Sequence, residues 1–225
     1  MKALFFGSIG SVVETSDMQR DAFNRAFRAH GLDWSWDAKT YRDLLVRSGG
    51  AARVAAFAKE RGEPVDAAAV HATKTMLFQA DMAAAKLTPR DGVREALRLA
   101  DVTGLKTAFI SATDPATVAH VSAALTGGGS SFDLVTDAQV GTASKPAPDI
   151  YLYALNQLSL SARDVVVIED NVDGVAAANS AGCRVIAYPG ANTGPHDYRR
   201  ADTVVTSDLL ATIQATLFSS VKIAS

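Results

Sequence analysis

Residues 2–15, KALFFGSIGSVVET, decide how the rest of the chain is read. Ala3-Leu4-Phe5-Phe6 is a short apolar run that stops at Gly7. A run of that length, ended by glycine, fits a strand buried on both faces of a parallel sheet. The loop after such a strand lies at the carboxyl edge of the sheet, where open α/β folds bind ligands. Here that loop reads Gly7-Ser8-Ile9-Gly10-Ser11, and an amphipathic helix is expected from about Ser16.

From that helix onward the pattern is helical only. Ser16 or Asp17 is expected to cap a helix with Ala22, Phe23, Ala26 and Phe27 inward and Gly31 as its stop. Asp37 is expected to cap a second helix carrying Tyr41, Leu44 and Leu45. Ser48-Gly49-Gly50 breaks the chain. A third helix follows with Val54, Phe57 and Ala58. A fourth, after Pro64-Val65-Asp66, sets Val70, Thr73, Leu77 and Ala84 on one side. This is the pattern of a small helical bundle.

Strands and helices alternate from Leu87. The predicted strands are 106–110, 132–135, 165–168, 184–188 and 203–205, with a Gly127-Gly128-Gly129 loop before the second. Strand–helix alternation means a parallel sheet with helices on both faces. The expectation is a Rossmann-like, doubly wound α/β core of residues 1–15 and 88–225. Residues 16–87 form an all-helical cap inserted after the first strand.

Composition narrows the class. The 225 residues are 48% hydrophobic, enough for a large core, and the net charge is −2. No basic footprint points to nucleic acid. No apolar run is long enough to span a bilayer, and no signal peptide precedes the first strand. The single cysteine, Cys183, rules out an intrachain disulfide framework and suits a reducing compartment, so a cytoplasmic location is expected.

Three clusters fall at strand carboxyl ends. Ser111 follows the Phe109-Ile110 strand end. Lys145 lies in a loop before a helix. Glu169-Asp170 end the Val165–Ile168 strand. Alone, Ser111 reads as a turn serine, Lys145 as a surface lysine and the acidic pair as a helix-start feature. Together, a hydroxyl, an ammonium and two carboxylates suit a phosphate held beside Mg²⁺. His30, His71, His120 and His196 show no metal-ligand spacing. Trp34 and Trp36 read as packing residues.

These segments resemble the haloacid dehalogenase superfamily, in its branch of β-phosphoglucomutases and CbbY-type sugar-phosphate phosphatases. ALFF stands where the family has its first strand, and GLDWSWDAKTYRDLL followed by SGG is similar to the CbbY-type cap. FISAT matches the second motif, SKPAPDIY the lysine motif, and VVVIEDNVDGVAAANSAGCRVIAYPG the acidic motif. The resemblance implies Ser111 and Lys145 as phosphate-binding groups, Glu169 and Asp170 as metal ligands, Mg²⁺ as cofactor and a sugar phosphate as the small-molecule partner.

The departures are as informative. The family's first motif is Asp-x-Asp-Gly-Thr, and Gly7 and Ile9 stand at its nucleophile and acid/base positions. The resemblance therefore implies a mechanism whose two carboxylates are missing here, together with one metal ligand. Loss of a nucleophile alone typically costs on the order of 10⁴ to 10⁶ in rate. The cap loop, usually Gly-Gly-Lys-x-Arg, reads Gly49-Gly50-Ala51-Ala52-Arg53, leaving Arg53 to clamp a distal phosphate. Asn171 replaces a usual serine. Three readings follow: an inactive or severely impaired relative that still binds a sugar phosphate with weakened Mg²⁺ affinity, an active hydrolase with another nucleophile such as Ser8, Ser11 or Glu14, and a structural or regulatory partner of an active paralogue.

Overall fold

The computed structural model describes residues 1–46, 48–126 and 132–218. The foreseen Gly127–Gly129 loop lies outside the described residues. In chain order the elements are β1 (Ala3–Phe6), α1 (Ile9–Val12), α2 (Ser16–Ala29), α3 (Ala38–Leu44), α4 (Gly50–Arg61) and α5 (Ala67–Ala84). Then come α6 (Val93–Thr103), β2 (Lys106–Ile110), α7 (Pro115–Thr126), β3 (Leu134–Thr136) and α8 (Asp149–Gln157). The chain closes with β4 (Val165–Glu169), α9 (Val172–Ser180), β5 (Arg184–Ala187), β6 (Thr203–Val204) and α10 (Leu209–Phe218).

The strands form one sheet in the order β3-β2-β1-β4-β5-β6, and every pairing is parallel. β1 is therefore central, with Phe6 opposite Phe109 on one side and Ile168 on the other. Side chains alternate along a strand, so β1 feeds two cores. Leu4 and Phe6 pack with residues of α6, α7 and α10, and Ala3 and Phe5 with residues of α8 and α9. Helices thus cover both faces, which is the doubly wound architecture expected for an all-parallel sheet.

Between β1 and β2 the elements α2 to α5 build a third core. Phe23, Phe27, Trp36, Tyr41, Val54 and Val70 are buried there. Trp36 sits between Phe27 and Phe23, at ring-centroid distances of 4.7 and 4.8 Å. Trp34 and Trp36 are packing residues, as the sequence indicates. The two connections to this helical insertion run side by side: Val13 bridges Pro89, and Arg90 N–H donates to Val12 O at 2.8 Å.

Three local expectations change. The chain after Gly7 forms the short helix α1 ahead of α2, because Ser8 and Ser11 close a reciprocal capping box. The N-cap of α2 is Thr15, not Ser16 or Asp17, and the Glu14 carboxylate accepts from Ser16 N–H at 3.0 Å. The buried stripe of α5 is Val70, Lys74, Phe78 and Met82, so Thr73, Leu77 and Ala84 do not define its face. Lys74, not foreseen on this face, turns inward because its stem lies along the Phe23 and Phe78 rings. Among the described residues no helix is long and apolar enough to cross a membrane.

Candidate functional site at the carboxyl edge of the sheet

The chain leaves β1 at Gly7, whose N–H donates to Ile168 O at 2.8 Å and so extends the pairing with β4 by one bond. A Cβ at position 7 would lie 2.2 Å from Tyr151 Oη and 2.4 Å from Glu169 Oε1. A Cβ at Gly174 would meet the same Glu169 carboxylate at 2.2 Å. Two glycines therefore make the slot that holds Glu169, which has no exposed side-chain surface.

Lys145 reaches this slot from the loop before α8. Its Nζ donates to Gly7 O, to Glu169 Oε1 at 2.6 Å and to Tyr151 Oη at 3.3 Å. Tyr151 Oη donates to the same carboxylate oxygen at 2.5 Å. An ammonium has three hydrogens, and each has a partner here. The Lys145 side chain is only 9% exposed. Burial, then the Glu169 charge, hold the Tyr151 phenol well above its ordinary pKa.

Asp170 stands beside this pair. Ser8 Oγ contacts both Glu169 Oε2, at 3.1 Å, and Asp170 Oδ1. Asn171 Nδ2 donates to Asp170 Oδ1 at 3.0 Å, while its Oδ1 caps α9 by accepting from Gly174 N–H at 2.8 Å. Burial and the neighbouring Glu169 charge raise the Asp170 pKa, against the bonds from Ser8 and Asn171. Arg90 fixes the surrounding backbone. Its guanidinium donates to Gly10 O, Tyr188 O and Pro189 O at 2.6, 2.8 and 2.6 Å, and lies 3.5 Å over the Tyr188 ring.

Of the residues singled out from sequence, the structure joins Lys145 to Glu169 and links Asp170 to them through Ser8. Ser111 lies after β2, on the adjacent strand. Its N–H donates to Thr136 Oγ1 at 3.0 Å, and its Oγ accepts from Thr113 N–H at 3.2 Å. Ile9 is buried in the core cluster with Leu4 and Phe6. Arg53 lies in α4, where its Nε donates to Leu44 O at 3.0 Å and its guanidinium sits 5.7 Å over the Tyr41 ring. Burial lowers the Arg53 pKa. The loop ahead of α4 touches the sheet edge through Ser48 N–H, which donates to Asp173 at 2.7 Å.

Sequence reading missed Tyr151, Arg90 and the position of the Ser8 hydroxyl. Tyr151 carried a usable signal: it shares the buried face of α8 with Ile150 and Ala154, and a buried phenol needs a polar partner. Arg90 carried none, and Ser8, named only as a candidate nucleophile, gave no sign of its carboxylate partners, because these partners, like those of Arg90, lie more than 70 positions away.

A parallel sheet with an inserted helical cap, and a lysine and acidic residues gathered at the carboxyl ends of its central strands, defines a class. The family model for haloacid dehalogenase-like hydrolases matches residues 1–182, and this chain belongs to that family. Within it, the chain is 34% identical over 212 residues to the protein CbbY of Cereibacter sphaeroides, covering 92% of either chain. It is 36% identical to CbbY of Rhodobacter capsulatus, covering 90% of this chain and 91% of that one. The crystal structure of CbbY from Rhodobacter sphaeroides in complex with phosphate is similar at a TM-score of 0.82 and 32% identity, over 91% of this chain and 94% of that one. A CbbY mutant from the same organism was solved with xylulose-(1,5)-bisphosphate. A β-phosphoglucomutase from Clostridium difficile shares the fold, at a TM-score of 0.76 and 20% identity.

Proposed function

We propose that this chain recognises the phosphate of a small sugar phosphate and that its phosphatase turnover is absent or severely impaired. One observation carries the proposal: the place of a side chain at position 7 is taken by Tyr151 and Glu169. The family's nucleophilic carboxylate belongs at that position, and a glycine cannot attack phosphorus. Ile9, at the acid/base position, is packed in the core and cannot move a proton. The assignment of residues 1–15 and 88–225 to the core and 16–87 to the cap is part of the same reading. The bridge between Val13 and Pro89, at the two crossing points, supports it.

In this reading Ser111 donates its hydroxyl hydrogen to a phosphate oxygen, since none of its observed bonds uses that hydrogen. Lys145 supplies positive charge, and Arg53 faces the distal end of the ligand from the cap. The bisphosphate and phosphate bound by CbbY support a phosphorylated sugar as the ligand class. Mg²⁺, which the family resemblance implies at Glu169 and Asp170, fits this site poorly. Protein donors already occupy the facing oxygens of Glu169, and no group of three or more His, Cys, Asp or Glu residues suited to a metal occurs among the described residues. Mg²⁺ prefers six oxygens at about 2.0–2.1 Å.

Calorimetric titration with a sugar bisphosphate, run beside a sensitive phosphate-release assay, tests the proposal. Saturable binding without turnover is expected. Robust turnover that Lys145→Ala abolishes would overturn the inactive reading, and absence of any binding would overturn the ligand. A second reading rests on the Ser8 hydroxyl, which touches the Asp170 and Glu169 carboxylates as a base-activated nucleophile would. It predicts release of phosphate that Ser8→Ala eliminates, and a phosphorylated Ser8 peptide by mass spectrometry.

A further inference from the structure

We infer that Lys145 takes the place of a divalent cation at this sheet edge, so that the Glu169 carboxylate is neutralised by the protein's own ammonium. The inference deepens the proposed reading of the phosphate pocket but stands on the Lys145 geometry alone.

Both oxygens of Glu169, Asp170 Oδ1 and the Gly7 carbonyl are engaged by protein donors, while Asp170 Oδ2 faces Gly10. Glu169 Oε1 accepts from Lys145 Nζ at 2.6 Å and from Tyr151 Oη at 2.5 Å. Glu169 Oε2 accepts from Ser8 Oγ at 3.1 Å and from Asp170 N–H at 3.3 Å. Asp170 Oδ1 accepts from Asn171 Nδ2 at 3.0 Å and is also in contact with Ser8 Oγ. Gly7 O accepts from Lys145. A divalent cation needs such oxygens stripped of their donors, and it tolerates poor octahedral geometry badly. The ammonium needs only three acceptors, and Gly7 O, Glu169 Oε1 and Tyr151 Oη provide them.

The glycine at position 7 and the ammonium belong to one change. Any side chain there would collide with Tyr151 Oη and Glu169 Oε1, the two groups that bind Lys145 alongside the Gly7 carbonyl. With no side chain at 7, the Glu169 carboxylate lies against the end of β1, and Lys145 bonds both it and the Gly7 carbonyl. The consequence is a Glu169 carboxylate whose charge is balanced without a metal.

The test is calorimetry with MgCl₂ on the full-length chain and on Lys145→Met. The variant frees Gly7 O and Glu169 Oε1, and it is expected to bind Mg²⁺ at least about tenfold more tightly than the native chain, a difference of about 1.4 kcal/mol. Equal or tighter Mg²⁺ binding by the native chain overturns the inference. Should Lys145→Met fail to fold, the native chain still decides: saturable Mg²⁺ binding overturns the inference, and none supports it. Inorganic phosphate titrated in EDTA and in Mg²⁺ separates this from the proposed function. Equal affinity in both supports the inference, and a tenfold loss in EDTA refutes it. Binding in neither refutes the ligand reading and leaves the Mg²⁺ titration to judge the lysine.

Discussion

Among the described residues, Lys145 at the sheet edge, its side chain 9% exposed, and Lys74, buried in the helical insertion, are treated differently. Lys145 meets the Glu169 carboxylate, a carbonyl and a phenol. Lys74 lies on α5 with its Nζ 5.0 and 4.5 Å from the Phe23 and Phe78 ring centroids and one neutral acceptor, Gln19 Oε1, at 3.0 Å. Burial, then the Arg53 charge, pull the Lys74 pKa down to about 7. The sheet edge thus compensates its buried charge with an opposite charge, and the helical insertion compensates its own with aromatic faces and partial loss of the proton. The first region is held together by polar pairing around a missing side chain. The second is held by packing around Trp36.

Removing the centre of each region should show this division at its largest. Trp36→Ala empties a fully buried site and is expected to destabilise the chain by about 3–5 kcal/mol, read from the denaturant midpoint. Glu169→Gln leaves the Lys145 ammonium buried without its carboxylate and is expected to cost about 3–5 kcal/mol. The double variant Lys145→Met with Glu169→Leu should cost far less than Glu169→Gln alone, because no unpaired charge is left behind. Equal costs for the single and double variants would break the comparison.

Gly7→Ala sharpens it from the other side. The new methyl would overlap Tyr151 Oη and Glu169 Oε1, so a loss of about 1–3 kcal/mol is expected, partly recovered by Tyr151→Phe. If Gly7→Ala is neutral, the slot is looser than the polar pairing requires.

Lys74 gives a pH signature. Its folded-state pKa is depressed, so between about pH 7 and its ordinary value near 10.5 the unfolded chain binds more protons than the folded one. Stability therefore rises with pH across that window and is flat below it. Lys74→Met should abolish this slope and stabilise the chain at neutral pH by roughly 1–3 kcal/mol, part of the burial penalty being offset by the two rings. A denaturant series from pH 6 to about pH 10.5 reads it, and an unchanged slope in the variant would show that Lys74 is not the group responsible.

The smallest effect concerns Asn171. Its side chain caps α9, and Asn171→Ala is expected to cost about 1 kcal/mol, with Asn171→Ser recovering most of it. That result would assign the residue to the helix start rather than to the chemistry beside it.

The chain order of residues was enough for the architecture. Ala3–Phe6 and Val165–Ile168 are continuous apolar runs, and only a strand covered on both faces hides every side chain of such a run. The stretch from Ser16 to Lys86 repeats apolar residues at helical spacing, and it forms α2 to α5. The pairing of Ser111, Lys145, Glu169 and Asp170 with strand ends was legible because parallel strands set those ends along one edge. The sequence could not show which of them touch. Lys145 and Glu169 are 24 positions apart, and Ser8 and Asp170 are 162 apart. Their contacts depend on the side-by-side placement of β1 and β4 and on the shape left by Gly7 and Gly174. Nor could the helical period of α5 tell that Lys74 would turn inward, because a lysine stem is apolar enough to lie on phenylalanine while its charge changes state. Local patterning determined which segments became strands and helices. Only packing at the carboxyl edge decided that the space beside Gly7 would be filled by the Tyr151 phenol and the Glu169 carboxylate, with Lys145 paired to that carboxylate, since unpaired buried charge is what the fold tolerates least.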